Sequence, residues 1–371
     1  MTRRTSEFGF KLSPLLPLFV ISLFLSEVSL ADESTASTTR AAIGAPQEKD
    51  LTAYLLVYFK DETHGLYFAV SHDGYSFTDV NNGQPVMKGA DLAEQKGIRD
   101  PHIARGPDGA FCLAMTDLHI FAKREGLRDT EWERPGDKYG WGNNRSIILM
   151  KSKDLVNWSH SNFHVADAFP QLGDLGCAWA PETIYDEAVG QLMVYFTIRF
   201  GKGPNKLYYA YADEDFTKLT TTPQELFKYP RENVNILDAD ITKVGDKFHM
   251  FYVAHEKAGN IRQAISDRVN EGYAYDPTKV DPEKVACEAP TLWRRSGTET
   301  YVLMYDVFGV KPNNMGFSET TDFIHFKNIG RFNDPGGVMK ATNFSSPKHG
   351  AVIPLANSEV KVLAAHWKLD F

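Results

Sequence analysis

Five short segments of the sequence set an acid or an imidazole in the same kind of surroundings. They are Arg99-Asp100-Pro101-His102-Ile103, Trp179-Ala180-Pro181-Glu182-Thr183-Ile184, Leu237-Asp238-Ala239-Asp240-Ile241, Cys287-Glu288-Ala289-Pro290-Thr291-Leu292 and Lys348-His349-Gly350-Ala351-Val352-Ile353. Asp100, Glu182, Asp238, Glu288 and His349 each stand beside Pro, Gly or a short apolar run rather than inside a solvated run of charge. Any one of them reads equally well as a turn cap or as the partner of a nearby arginine; five together read as a site. Crowded carboxylates resist ionising together, so their pKa values split. The split leaves one protonated acid beside one ionised base, the division of labour that hydrolysis of a glycosidic bond requires.

Such residues converge only if the chain repeats. A strand rich in aromatic and branched residues recurs as 54–59, 111–115, 192–196, 248–252 and 301–305. A second short strand, ending in a small residue and an acidic turn, follows each copy, with the small residue at Ser71, Ser152, Ala212, Ser266 and Ser318. Four copies are preceded by one of the acid-bearing segments, and the segment at His349 is an orphan at the C-terminus. The simplest assembly is circular: an all-β, five-bladed β-propeller, closed by the C-terminal strand joining the first strands of the chain. The first strand of each blade lines the channel, so the four carboxylates and the imidazole fall at roughly equivalent positions around one cavity. The long first interval holds an insertion, Arg124 to Asn144, rich in charge, Gly and Trp, which reads as a loop at one mouth. Residues Asn357 to Trp367 read as a short covering helix.

Bulk properties narrow the partners. The 371 residues carry a formal net charge of −8, so there is no basic field for nucleic acid or anionic membrane, while a neutral carbohydrate fits. Arg3, Arg4 and Lys11 precede an apolar run from Leu12 to Leu25 and then Ser29-Leu30-Ala31. That is the layout of a secretory signal over 1–31, with no membrane attachment after cleavage and a secreted or periplasmic product. Residues 32–50 read as a flexible lead-in and 51–371 as the propeller. Cys112, Cys177 and Cys287 are an odd number for an exported chain and read as buried free thiols. Their spacing suggests neither a zinc site nor a redox pair.

From Leu51 to Trp367 the chain resembles the glycoside hydrolases of family 43, five-bladed propellers acting on arabinose- and xylose-containing glycans. The resemblance rests on the order and blade-by-blade placement of the five segments. It implies Asp100 as general base, Glu288 as general acid and Asp238 as the group that tunes and orients the acid. It implies that Glu182 contacts substrate or braces the site. His349 would line the floor, where some relatives bind a calcium ion through water; no cofactor is otherwise required. Relatives often carry the base strand near the mature N-terminus, whereas here a β-rich stretch from Leu51 to Val86 comes first. The implied activity is inverting, of the α-L-arabinofuranosidase or β-xylosidase type, with β-galactosidase also open. An inverting pair stands about 6.5–9.5 Å apart to admit water. The competing reading is a non-catalytic carbohydrate-binding propeller, against which three retained carboxylates argue. A fructan-type hydrolase would want an early Asn-Asp-Pro, and Arg99 precedes Asp100 instead.

Other residues divide between chemistry and packing. Asp240, two residues from Asp238, is the alternative tuning acid if that strand is regular. Trp141, with Asn143, Asn144 and Arg145, offers a sugar-stacking wall, and Arg199 ends a strand within reach of the cavity. Asp117 and His119 suit a turn, Trp158 and Trp293 suit blade packing, and His255 and Glu256 suit a strand end.

Overall fold

A computed structural model of the chain describes residues 46–256 and 259–370. The expected signal and most of the lead-in lie outside the described residues. The last residues of the lead-in, Glu48–Asp50, form one 3-10 turn, from which Glu48 reaches Arg294 at 3.0 Å.

The strands form five sheets, the blades of a propeller, antiparallel except for one edge pair. Blade one runs outward through Ile98–Arg105, Phe111–Asp117, Ser146–Ser152 and Trp158–His164. Blade two comprises Leu175–Asp186, Gln191–Phe200, Lys206–Tyr211 and Gln224–Glu225, and blade four Cys287–Arg294, Tyr301–Val307, Met315–Thr320 and Lys327–Arg331. The fifth is composite: Lys348–Ala356 pairs antiparallel with Leu51–Phe59, followed outward by Leu66–Ser71, Ser76–Asp79 and a parallel edge strand, Lys340–Thr342. The inner strands pack on one another in sequence, with Lys348–Ala356 lying between Cys287–Arg294 and Ile98–Arg105.

Blade three departs from the four-stranded plan. It holds Ile236–Val244, Lys247–His255 and Gly259–Ser266. The following segment packs against it, but its backbone pairs with the sheet only as isolated bridges at Lys279 and Ala274. Pro277 and Pro282 lie in that segment, and a residue without N–H cannot donate to a ladder.

The period-two pattern of the second strands explains the packing. Along Phe111–Asp117 every residue is buried. Phe111, Leu113 and Met115 face the composite blade, while Cys112 and Ala114 face blade two. Successive side chains point to opposite faces, so a strand between two blades must be apolar on both. Similar clusters fill the other three junctions. Cys112, Cys177 and Cys287 are buried and unpaired. Asn357–Trp367 is a helix, held by a two-bonded ion pair between Arg105 and Glu359 at 2.6 and 2.9 Å. Among the described residues no helix is long and apolar enough to cross a membrane.

Candidate active site

Four inner strands are broken by the same bulge. The ladder shifts between Arg99 and His102, Trp179 and Glu182, Leu237 and Asp240, and Glu288 and Thr291. At its first residue the backbone turns left-handed: Asp100 (φ 52), Ala180 (φ 44), Asp238 (φ 50) and Ala289 (φ 55). Side chains with a Cβ enter this region at a cost of about 1–3 kcal/mol, so packing on both sides must hold the turn. A proline follows in three of the four, harmless where the bulged residue has no ladder partner.

The bulge sorts the predicted residues by depth, and they are therefore not at one level. Glu288 lies one residue before the turn, with Arg99 and Trp179 as its counterparts. Asp100 and Asp238 occupy the turn itself. Glu182 lies two residues beyond it, beside His102 and Asp240. Burial follows the order: the Glu288 side chain is 30% exposed and that of Glu182 1%.

One wall surrounds Asp100 with cations. Thr116 Oγ1 donates to its Oδ2 at 2.8 Å, and His349 Nδ1 stands 3.2 Å from Oδ1. Burial works to raise the Asp100 carboxyl, but His349, Arg99 and Thr116 overcome it and hold it down at about 2. Burial would likewise deprotonate His349, yet its contacts with Asp100 and Glu182 push it well above the usual imidazole range. His349 therefore carries the proton and Asp100 the negative charge. Its neighbour must be Gly350, because a Cβ there would lie 2.1 Å from the Val57 carbonyl oxygen.

The opposite wall surrounds its acids with acids. Burial, then Asp238, then Asp306 push Glu288 up to about 7, against Lys348 and Arg99. Burial likewise lifts Asp238 to about 6, with Asp100 and Asp306 adding to it against the opposing pull of His349 and the Ala289 N–H. Asp238 also accepts the N–H of Ala289, the residue after Glu288, at 3.3 Å, which ties the two acids together through the backbone. His255 Nε2 approaches Glu288 at 3.8 Å. Asp306 lies directly across the ladder from Glu288 and pairs with Lys348 at 3.0 Å. Arg99, Lys348, Asp306 and His255 were not singled out from sequence as site residues. The signal was adjacency: Arg99 and Lys348 immediately precede Asp100 and His349, and Asp306 follows the second-strand copy ending at Tyr305.

The floor is buried and polar. Tyr195 donates to Glu182 at 3.1 Å and accepts the Ile241 N–H at 3.0 Å. Glu182 also faces His349 at 3.8 Å and His102 at 3.9 Å. Of the two expected roles for Glu182, bracing is the one its burial permits. Asp240 accepts the Leu292 N–H at 2.7 Å and sits below the tuning position, because the bulge separates it from Asp238. Donor atoms of His102, Glu182 and Asp240 lie within 4.8 Å of one another, yet the set does not fit calcium. His102 Nδ1 accepts the Thr183 N–H at 3.2 Å, which places the proton of a neutral ring on Nε2 and leaves that atom no lone pair for a metal. Calcium takes about six to eight oxygens, and the imidazolium of His349 beside the cluster would repel it.

The insertion of blade one forms the rim. Arg199 Nη2 donates to the carbonyls of Tyr139 and Trp141 at 2.9 and 2.8 Å, and its guanidinium lies 4.7 Å from the Trp179 ring. Trp132, Trp141 and Trp179 form an edge-to-face ladder at 5.3 and 5.8 Å. Trp141 is 56% exposed. Asn143 and Asn144 are buried braces of the loop, and Arg145 pairs with Glu133. Asp117 accepts the backbone N–H groups of Glu94 and Gln95, the expected turn role. His119 stacks on His64 at 3.9 Å. Trp158 and Trp293 pack between blades.

The family model described as "Probable glycosyl hydrolase domain", the one related to glycoside hydrolase family 43, matches residues 49–361. An α-L-arabinofuranosidase of Bifidobacterium longum subsp. longum is 22% identical over 246 residues, 60% of this chain and 21% of that protein. The chain thus spans about a fifth of the length of this curated relative. Among solved structures, an endo-1,4-β-xylanase from Bacteroides thetaiotaomicron superposes with a TM-score of 0.52 at 12% identity, over 75% of this chain and 91% of that one. A thermostable family-43 glycoside hydrolase gives 0.51 at 16% identity, over 70% and 80%. An exo-1,5-α-L-arabinanase from a bovine ruminal metagenomic library gives 0.50 at 14%, over 77% and 94%. At these identities the likeness is one of fold.

Proposed function

Because the chain belongs to the glycosyl hydrolases related to family 43, we propose that it hydrolyses the glycosidic bonds of arabinose- or xylose-containing glycans with inversion, Asp100 acting as base and Glu288 as acid. The observation that carries this reading is the opposite electrostatic company of the two groups: one carboxyl is held at about 2 and the other is raised to about 7. At neutral pH Asp100 accepts a proton from water as that water attacks the anomeric carbon. Glu288, near the mouth, gives its proton to the departing oxygen. Asp238 keeps that proton in place by like-charge repulsion and holds the strand through Ala289. His349 and Arg99 keep Asp100 ionised. Glu182, braced by Tyr195 and His102, meets the imidazolium from below.

The substrate class is favoured by relatives named for arabinofuranoside, arabinan and xylan chemistry. A panel of nitrophenyl α-L-arabinofuranoside, β-xyloside and β-galactoside tests it, and failure on all three, and on arabinan and xylan themselves, sinks the reading. Proton NMR of the first-formed sugar tests inversion: a retained anomeric configuration would make Asp100 a nucleophile instead. We also propose that no metal takes part, so a chelator leaves turnover unchanged. Export with cleavage after Ala31 completes the proposal, and a mature N-terminus away from Asp32 by mass spectrometry counts against it.

A further inference from the structure

Beside the channel mouth, on the blade-two side, lies a cleft of about 450 Å³ lined by Trp141, Arg199, Lys202, Asn205, Asn233 and Asn235. Its volume is that of a site for a small ligand. It opens at the end of the channel that bears the acids. Asn235 directly precedes the inner strand Ile236–Val244 that carries Asp238, and Arg199 pairs with Cys177 near the start of the blade-two inner strand. Trp179, at the depth of Glu288, stands between cleft and channel and touches Trp141 edge to face.

The lining specifies a ligand. Trp141, 56% exposed, presents an apolar ring that a sugar's C–H face would cover. Asn205 is 7% exposed, and its Oδ1 is buried with no donor from the protein, so it calls for a ligand hydroxyl or amide. A neutral sugar would satisfy both. It would leave unexplained that the lining holds two cations and no carboxylate, on a chain with a formal net charge of −8. Arg199, 8% exposed, spends Nη2 on two carbonyls, which orients the guanidinium without neutralising it. Among the described residues neither Arg199 nor Lys202 has an acidic partner. A buried guanidinium without a counter-charge is costly unless a ligand supplies one.

We propose that this cleft is a subsite for a uronic acid residue of the same glycan, its ring on Trp141 and its carboxylate between Arg199 and Lys202. This rests on the glycosidase reading for its substrate and deepens it: the preferred substrate carries an acidic sugar next to the residue that is cleaved.

The test is calorimetric titration of the purified protein with xylotetraose and with xylotetraose bearing one glucuronic acid branch, at low and high salt. The acidic probe should bind about tenfold tighter at low salt, an advantage that shrinks as salt screens the charges. Lys202→Glu, on an exposed loop, should collapse or invert the ratio, and Lys202→Arg should keep it. Equal affinities, an advantage untouched by Lys202→Glu, or no binding of either probe would overturn the proposal. Because binding is read without turnover, the two readings fail separately. A protein that prefers the acidic probe but cleaves no glycoside keeps the subsite and loses the hydrolase. An active enzyme with equal affinities does the reverse.

Discussion

The two walls of the channel hold the same functional group in opposite company. Around Asp100 stand an imidazolium, a guanidinium and a hydroxyl; around Glu288 stand Asp238 and Asp306, with Lys348 and Arg99 only partly offsetting them. Both carboxyls are partly or wholly withdrawn from bulk water, so burial alone would raise both. The difference teaches that the proposed partition into acid and base is set by neighbours, some on the carboxyl's own blade (Arg99, Thr116, Asp306) and some on other blades (His349, Asp238), rather than by the carboxyls themselves.

The largest effect is expected from Asp100→Asn, which should cost about 10²–10⁴-fold in turnover on natural and aryl glycosides alike, because water must be activated in either case. Steady-state kinetics on both substrate types reads this directly. Near-normal turnover would move the base elsewhere. Glu288→Gln should cost about as much on a natural glycoside, but its loss should shrink on a nitrophenyl glycoside, whose leaving group departs without protonation. An equal loss on both would contradict its role as acid.

Next come the neighbours. If Glu288 is the acid proposed above it works protonated, and it is raised to about 7, so activity should fall as pH rises through 7. Asp238→Asn removes a like charge, lowers the Glu288 pKa and should pull that alkaline limb down by about one unit, a tenfold loss at fixed alkaline pH. An unmoved limb would mean that Asp238 does not tune the acid. His349→Gln works on the other wall. Without the imidazolium, Asp100 titrates higher, so the acidic limb should move up in pH. A uniform loss at every pH would mark a merely structural role. The smallest effect is expected from Asp240→Asn, which keeps an acceptor for the Leu292 N–H and should leave both limbs within a few tenths of a unit. A shift as large as that of Asp238→Asn would make Asp240 the tuning group.

Much of this was legible in the sequence because inner strands carry their chemistry in short recognisable segments. The five strand copies, the composite blade and the convergence of Asp100, Asp238, Glu288 and His349 all follow from repeat and order. Depth was not legible. A regular strand would put Asp238 and Asp240 on one face, and only the left-handed turn at Asp238 (φ 50) separates them into channel and floor. Glu182 passed as a possible substrate contact for the same reason. The role of the charges flanking the motifs, Arg99 and Lys348, was not legible because sequence shows no burial. The missing fourth strand of blade three was foreshadowed by Pro277 and Pro282, a signal the repeat itself masked.

The bulge has a consequence for change as well as for chemistry. Its left-handed turn recurs in four blades, yet holds a carboxylate in two and alanine in the other two, Ala180 and Ala289. The backbone thus offers interchangeable sockets whose shape is independent of their contents. Ala180 N–H is anchored by Thr116 Oγ1 at 2.8 Å, and Ala289 N–H by Asp238 at 3.3 Å, so in both blades the turn is held by a neighbour's side chain and not by its own. The turn itself is thus a feature of the fold rather than of the residue that occupies it, and a change of residue there need not bring a new backbone shape with it.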